Sequence, residues 1–247
     1  CFSGQSAGHA KIAMELMGYD EVYSLLFGMC SWAESTRGSW DNNTNNLLAN
    51  PETDNNNADL VEYDFPTLSE SSSTVVADRV NAMLAAGFKA TSYGNIIDNL
   101  DEYFIVNYFG EADYLGQGTS GVPGHIPGAF QFTPYASLGM DEMLNYLPTD
   151  KQIVVYCWTG QHSSQVTAYL NMLGYDALSL AFGSNSLFYD QLNAHKWTSA
   201  AYNDFDMSSG PEMTGDFAAL VTQGADYIND NGDCPGVLPA QTLFDNL

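Results

Sequence analysis

The run Ile153-Val154-Val155-Tyr156 leads directly into Cys157-Trp158-Thr159-Gly160-Gln161-His162-Ser163, and the reading of this stretch decides the fold. The run has the length and β-branched content of a buried strand. Val166, Tyr169, Leu170 and Leu173 then recur at helical spacing, and Gly174 follows as a C-cap. The chain here reads strand, short loop, helix. A helix start offers unpaired backbone N–H groups and a partial positive charge, which favour a thiolate over a thiol and can hold an anion. Gly160 lets the loop curl around the sulfur at least conformational cost. Cys157 is therefore the candidate nucleophile, against the alternative of a buried structural thiol.

Working outward, Tyr103-Phe104-Ile105-Val106 reads as an earlier strand and Ala177-Leu178-Ser179-Leu180 as a later one. Ser6 to Met17 and Asp78 to Ala86 read as helices, Glu21 to Leu26 as a strand, and Leu138 to Leu147 as an amphipathic helix. Asp41 to Asp59, rich in Asn and Asp, reads as a surface loop or insertion. Strands and helices alternate throughout. This predicts an α/β three-layer domain with a mainly parallel sheet and a ligand site at the strand C-termini, where Cys157 lies.

The loop around Cys157 resembles the active-site loop of the rhodanese family, in which a cysteine at a strand end is cradled by a six-residue loop and carries a persulfide. Gly124-His125-Ile126-Pro127-Gly128-Ala129 is similar to a second segment of that family, lying between the strand at Tyr103–Val106 and the cysteine loop. With Gly174-Tyr175-Asp176 downstream, the resemblance covers roughly Ala85 to Gly210. It implies a rhodanese-like fold and sulfur transfer by Cys157, with Trp158, Thr159, Gly160, Gln161, His162 and Ser163 as the substrate-binding loop. It also implies a small sulfur donor anion and a thiol or cyanide acceptor as partners, with no cofactor. Two departures bear on activity. Asn107-Tyr108-Phe109 stands where the family usually has Asp-x-Arg, so a charged pair is missing, and His162 takes a loop position often held by arginine. Histidine holds an anionic donor less firmly than a guanidinium. The related phosphatases use a longer loop and an arginine, neither of which is here.

Cys1-Phe2-Ser3-Gly4-Gln5 matches Cys157-Trp158-Thr159-Gly160-Gln161, and the match continues at Met17-Gly18-Tyr19-Asp20 against Leu173-Gly174-Tyr175-Asp176. Phe27-Gly28 then pairs with Phe182-Gly183 and Trp40 with Trp197. The expectation is a duplicated, tandem module. Residues 1–84 form a partial rhodanese-like copy without upstream strands, and residues 85–210 form a complete one. Residues 211–247 are a C-terminal extension or the start of a further repeat. Either residues precede Cys1 in a longer chain, or Cys1 is a mature N-terminus such as a lipid-bearing cysteine, or another segment completes the sheet. The tail, Phe217–Leu220 to Phe244–Leu247, weakly echoes Val80–Leu84 to Ile96–Leu100 and is a candidate for that segment. Cys1, Gly4 and Gln5 mark a degenerate second site, better suited to scaffolding than to chemistry.

At 247 residues, with 45% hydrophobic and 13% aromatic content, the chain can build packed cores. No apolar stretch is long enough to cross a membrane as a helix. Thirty Asp and Glu against six Lys and Arg give a formal charge of −24, which excludes nucleic acid as a partner. The same field slows anionic donors, although screening over about 8 Å leaves local loop amides in control. Low lysine with abundant Asn, Asp, Ser, Thr and Tyr reads as an extracytoplasmic protein: periplasmic, cell-surface, secreted or salt-adapted. A catalytically inert extracytoplasmic binding or assembly module, with room for a protein partner, is the competing functional reading.

Among the other cysteines, Cys30 reads as a small buried apolar residue and Cys234 as a loop thiol that could pair with it or resolve a disulfide. His125 reads as structural, while His9 and His195 have no site-like context. No metal site is expected. In Asn229-Asp230-Asn231-Gly232 the calcium-loop register fails, because the first and twelfth positions fall on Tyr227 and Leu238.

Overall fold

The computed structural model describes residues 1–69, 73–198, 200, 201, 203 and 205. The tail echo, the calcium-loop stretch and Cys234 lie outside the described residues. In chain order the helices and strands are α1 (Gln5–Leu16), the single turn α2 (Gly38–Asp41) and α3 (Val75–Ala86), followed by β1 (Ala90–Thr91) and the turn α4 (Tyr93–Ile96). Next come β2 (Tyr103–Asn107), the turn α5 (Glu111–Tyr114), β3 (Phe130–Gln131) and β4 (Gln152–Tyr156). The series ends with α6 (Gln161–Leu173), β5 (Ala177–Leu180) and the turn α7 (Ser184–Leu187).

The five strands form one parallel sheet in the order β1-β5-β4-β2-β3, so the fold is α/β as the alternation predicts. β4 is central, and Ile153, Val154, Val155 and Tyr156 are all fully buried. That is why its sequence is a continuous apolar run rather than an alternating one: a parallel strand covered on both faces has no solvent side. β2 registers against it from Tyr103 opposite Gln152 to Asn107 opposite Tyr156, bringing both C-terminal ends to one edge. Burying a side chain of this size contributes about 1.5–3 kcal/mol, so this pair anchors the sheet.

α6 returns from β4 to β5, packs on both, and carries α1 and α3 on its outer side. α1 can approach because Gly8 has no side chain; a Cβ there would collide with Ser164 Oγ and lie 2.9 Å from the Gln161 carbonyl. Arg79 of α3 donates from Nε to the Met172 carbonyl at 2.7 Å, closing the C-terminal end of α6 beside the left-handed cap at Gly174. A small aromatic core, Phe27, Trp40 and Trp197 around Cys30, joins residues near the two ends of the described chain. Cys30 is completely buried there, as its reading as a small apolar residue expects, and forms no disulfide among the described residues.

Two expectations need correction. Glu21 to Leu26 forms no strand: Glu21 has φ +57°, Leu25 and Leu26 are exposed, and β1 already pairs with β5. Leu138 to Leu147 is not an α-helix but a run of turns ending in a 3₁₀ turn at Leu144–Tyr146. Leu144 and Leu147 still reach the main core, through three-residue steps such as Tyr146 N–H to the Met143 carbonyl. Asp41 to Asp59 is mostly exposed, the surface loop its composition predicts, and is tied down at several points. Asn45, Leu47 and Leu48 donate backbone bonds to the carbonyls of Asn185, Ser186 and Leu187, and Glu52 pairs with His125.

Candidate functional site

The loop after β4 is fixed from three sides. Gly160, at φ +78°, is the left-handed residue that turns the chain into α6. The Cys157 carbonyl accepts from Ser184 N–H at 3.0 Å, and the Trp158 carbonyl accepts from the Asn185 side-chain amide at 2.9 Å. The strand end, α6 and α7 thus share one small volume, and a side chain on Gly160 would collide with Gln5.

Cys157 sits at the floor of this loop, almost fully buried but lining the base of a cavity of about 420 Å³. Its Sγ accepts from Ser163 N–H at 3.3 Å, six residues on and in the first turn of α6. The Ser163 hydroxyl lies 3.7 Å from the sulfur and 2.8 Å from Ser179 Oγ, which in turn reaches the Gly160 carbonyl at 3.4 Å. That chain can take a proton from a thiol or turn a hydroxyl toward a thiolate, since either serine can donate. Among the described residues, the amides of Trp158, Thr159, Gly160 and His162 have no protein acceptor. Unpaired N–H groups on a curled loop at a helix start are what a bound anion needs.

The loop residues take different parts. Thr159 accepts from Gln161 N–H through its hydroxyl at 3.3 Å and so shapes the turn. Gln161 also faces residues 1–28: its Oε1 accepts from Phe27 N–H at 2.9 Å, and its Nε2 donates to the Leu25 carbonyl at 3.2 Å. Trp158 is sandwiched between Phe109, with centroids 4.3 Å apart, and His195 at 4.9 Å. His162 meets the Tyr135 hydroxyl through Nε2 at 2.9 Å. Burial, then the neighbouring charges of His195 and Lys11, hold the His162 pKa below the ordinary histidine value, so the ring is neutral at pH 7.

Several pocket residues left no sign in the sequence. Tyr108, Tyr135 and Leu26 line the cavity, and Tyr108 places Tyr135 by accepting its backbone N–H at 2.8 Å. Tyr135 stands at φ +65° with its side chain exposed, a backbone that few bulky residues adopt. His195, read as lacking any site context, lines the same cavity and stacks on Trp158. Nothing local marks it; beyond the stacking, the Asn185 side-chain amide donates to its carbonyl at 2.9 Å. His125 is structural as expected: it is buried, stacked on Tyr114 and bonded through Nδ1 to the Tyr114 carbonyl at 2.8 Å.

The missing Asp-x-Arg pair is replaced by neutral chemistry. Asn107 donates to the Tyr156 hydroxyl at 2.7 Å, and Ile126 N–H donates to the same oxygen at 3.1 Å. Burial raises the Tyr156 pKa far above its ordinary range, which keeps this hydroxyl neutral. Phe109 occupies the arginine's sequence position and is fully buried against Tyr156 and Trp158.

Cys1, Gly4 and Gln5 lie beside this site and outside its cavity. Cys1 Sγ accepts from Ala7 N–H at 3.3 Å but is exposed. Gln5 Oε1 accepts from Phe182 N–H at 3.0 Å, two residues before Ser184, the donor that holds the Cys157 carbonyl. Among the described residues no group of three His, Cys, Asp or Glu side chains is placed to hold a metal ion, and no helix is long and apolar enough to cross a membrane.

Compared with known proteins, residues 76–188 match the model of the rhodanese-like domain. A solved structure, that of a rhodanese-related protein from Thermoplasma volcanium, matches with 19% identity over 42% of this chain and 95% of its own length, at a TM-score of 0.34. Comparison with curated proteins found no match.

Proposed function

We propose, on the match of residues 76–188 to the rhodanese-like domain, that the protein is a sulfurtransferase that carries sulfane sulfur on Cys157. The Cys157 thiolate attacks the outer sulfur of a donor, a new S–S bond forms, and the donor's own S–S bond breaks with its electron pair leaving on the departing group. The resulting persulfide then yields its outer sulfur to a thiol or cyanide acceptor. Loop amides stabilise the anionic sulfur in both states, which is where an enzyme of this kind lowers its barriers. One observation carries the reading: a buried sulfur at the base of a cavity takes a helix-start N–H at 3.3 Å, beside loop amides without protein acceptors among the described residues. The proposal also places the reaction outside the cytoplasm, on the acidic, lysine-poor composition.

The test is intact-protein mass spectrometry after incubation with a sulfane sulfur donor. Addition of one sulfur to the wild type and not to Cys157→Ser supports the transferase. Absence of any addition with every donor, from thiosulfate to organic persulfides, overturns it and leaves a rhodanese-like module used for binding.

A further inference from the structure

The cavity over Cys157 has walls of an unusual kind for a site meant to receive an inorganic dianion. Among the described residues that line it, none is Lys, Arg, Asp or Glu. Beside the Tyr135 hydroxyl paired with His162, its polar side chains are Ser24, Thr159, Gln161, Gln165 and His195. Its apolar surface comes from the rings of Tyr108, Tyr135 and Trp158 and from the side chain of Leu26. Trp158 cannot swing aside, being stacked on Phe109 and His195. Lys11, the lysine whose charge reaches His162, is paired with Glu15 on α1.

Loop amides and a helix start can balance about half an elementary charge without a counter-ion, so one negative sulfur is well served there. A second charge on the far side of the donor meets walls that carry no lysine or arginine, and an uncompensated charge is costly to desolvate. The net charge of −24 adds a repulsion that scales with donor charge. A ring or alkyl body in the same place gains apolar contact and stacking instead.

Resting on the sulfur-transfer reading above, we propose that the donor is an organic molecule with a singly charged terminal sulfane sulfur on an apolar body, in preference to inorganic thiosulfate. An organic thiosulfonate and an organic persulfide share this chemistry. With a thiosulfonate, the Cys157 thiolate forms an S–S bond to the terminal sulfur, and the bond from that sulfur to the sulfonyl sulfur breaks. A sulfinate leaves with the electron pair. One thiolate and one monoanionic donor give one persulfide anion and one sulfinate anion, with no outside oxidant or proton required.

The experiment uses the full chain with two matched donors, benzenethiosulfonate and thiosulfate, and cyanide as acceptor. We expect kcat/KM to favour benzenethiosulfonate at least tenfold at physiological ionic strength, with most of the difference in KM. Because the donors differ in intrinsic reactivity, the unreactive pair benzenesulfonate and sulfate is titrated in parallel for protection of Cys157 from alkylation. Benzenesulfonate should protect at concentrations at least tenfold below sulfate. His162→Arg should narrow both gaps by improving the inorganic ligands. Equal protection, or better protection by sulfate, overturns the donor assignment while sulfur loading by thiosulfate leaves the transferase intact. Loading by neither donor overturns both.

Discussion

Two cysteine loops lie side by side in this protein, and they share backbone geometry while differing in what surrounds them. In each, a glycine in the left-handed region, Gly4 at φ +84° and Gly160 at φ +78°, turns the chain into a helix. In each, the sulfur accepts the N–H six residues on at 3.3 Å. Phe27 at φ +61° and Gly28 at φ +62° match Phe182 at φ +61° and Gly183 at φ +50°. The two glutamines are exchanged, Gln5 bonding to Phe182 and Gln161 to Phe27. What differs is the floor: Cys157 follows β4 in the centre of a five-stranded sheet and opens into a cavity, whereas Cys1 is exposed and lies outside that cavity. A sulfur held by one amide is common to both loops. A cavity over the sulfur belongs, of the two, to Cys157.

If the pocket decides, the cysteines must separate sharply under substitution. Cys157→Ser should lower the rate of sulfur loading on the order of a thousandfold or more, as removal of a nucleophile does. Cys1→Ser should change it less than about twofold, since it removes one hydrogen bond at an exposed site. Stopped loading kinetics with mass detection read both. Comparable losses would mean that sulfur passes through both thiols and that the exposed loop is a second station.

The glycines test the shared geometry instead. A Cβ on Gly160 would collide with Gln5 Oε1 and sit 2.9 Å from Phe182 N, and one on Gly4 would collide with Gln161 Nε2 and sit 2.9 Å from Gly28 N. Alanine at either position, forced into the left-handed region against these neighbours, should cost about 2–4 kcal/mol in denaturant unfolding. The stability losses should be similar, whereas loading should fall much further for Gly160→Ala. A large stability loss at Gly160 alone would break the equivalence of the two turns.

The exchanged glutamines predict a subtler inversion. Gln5→Ala leaves Phe182 N–H without its acceptor and Gln161→Ala does the same to Phe27 N–H, each costing about 1–3 kcal/mol. Yet Gln5, from the loop outside the cavity, bonds the segment that holds the Cys157 carbonyl. Its loss should therefore slow loading severalfold. A double-mutant cycle should show coupling above about 0.5 kcal/mol, because both side chains clamp the same pair of helix starts. Strict additivity would mean that the two clamps act independently.

How far the sequence carried this picture follows from the same contrast. β2, β4, β5 and α6 were legible to within a residue or two, because a buried parallel strand leaves a continuous apolar run and a capped helix leaves a period and a glycine. The cysteine loop was legible for the same reason, as its glycine and its place between strand and helix are local. Leu138 to Leu147 misled because burial of Leu144 and Leu147 at helical spacing was met by successive turns rather than by an α ladder. The pocket walls were hidden for a different reason: Tyr108, Tyr135 and His195 come from three distant loops, and no spacing rule links them. Asn107 read as a loss of charge, and only its bond to Tyr156 reveals a neutral substitute.

The weakest expected effect separates the two helices that follow the loops. His9 on α1 occupies the place that Gln165 holds on α6; it is buried near Phe88, and its Nε2 has no partner among the described residues. Burial holds the His9 pKa below its ordinary value of about 6.5, so the unfolded chain binds this proton first as pH falls. Its contribution is thus constant above about pH 7, and stability is lost below about 6.5 until folded His9 also protonates. His125 and His162, shifted in the same direction, add to that slope. His9→Gln should cost less than about 1 kcal/mol at pH 7.5 and lose less than the wild type between pH 7.5 and 5.5 in urea unfolding. Equal losses would show that α1 opens far enough to hydrate the ring before the sheet unfolds, which would make the α1–α6 contact, and with it the Gln5 clamp, the first part of the site to yield to acid.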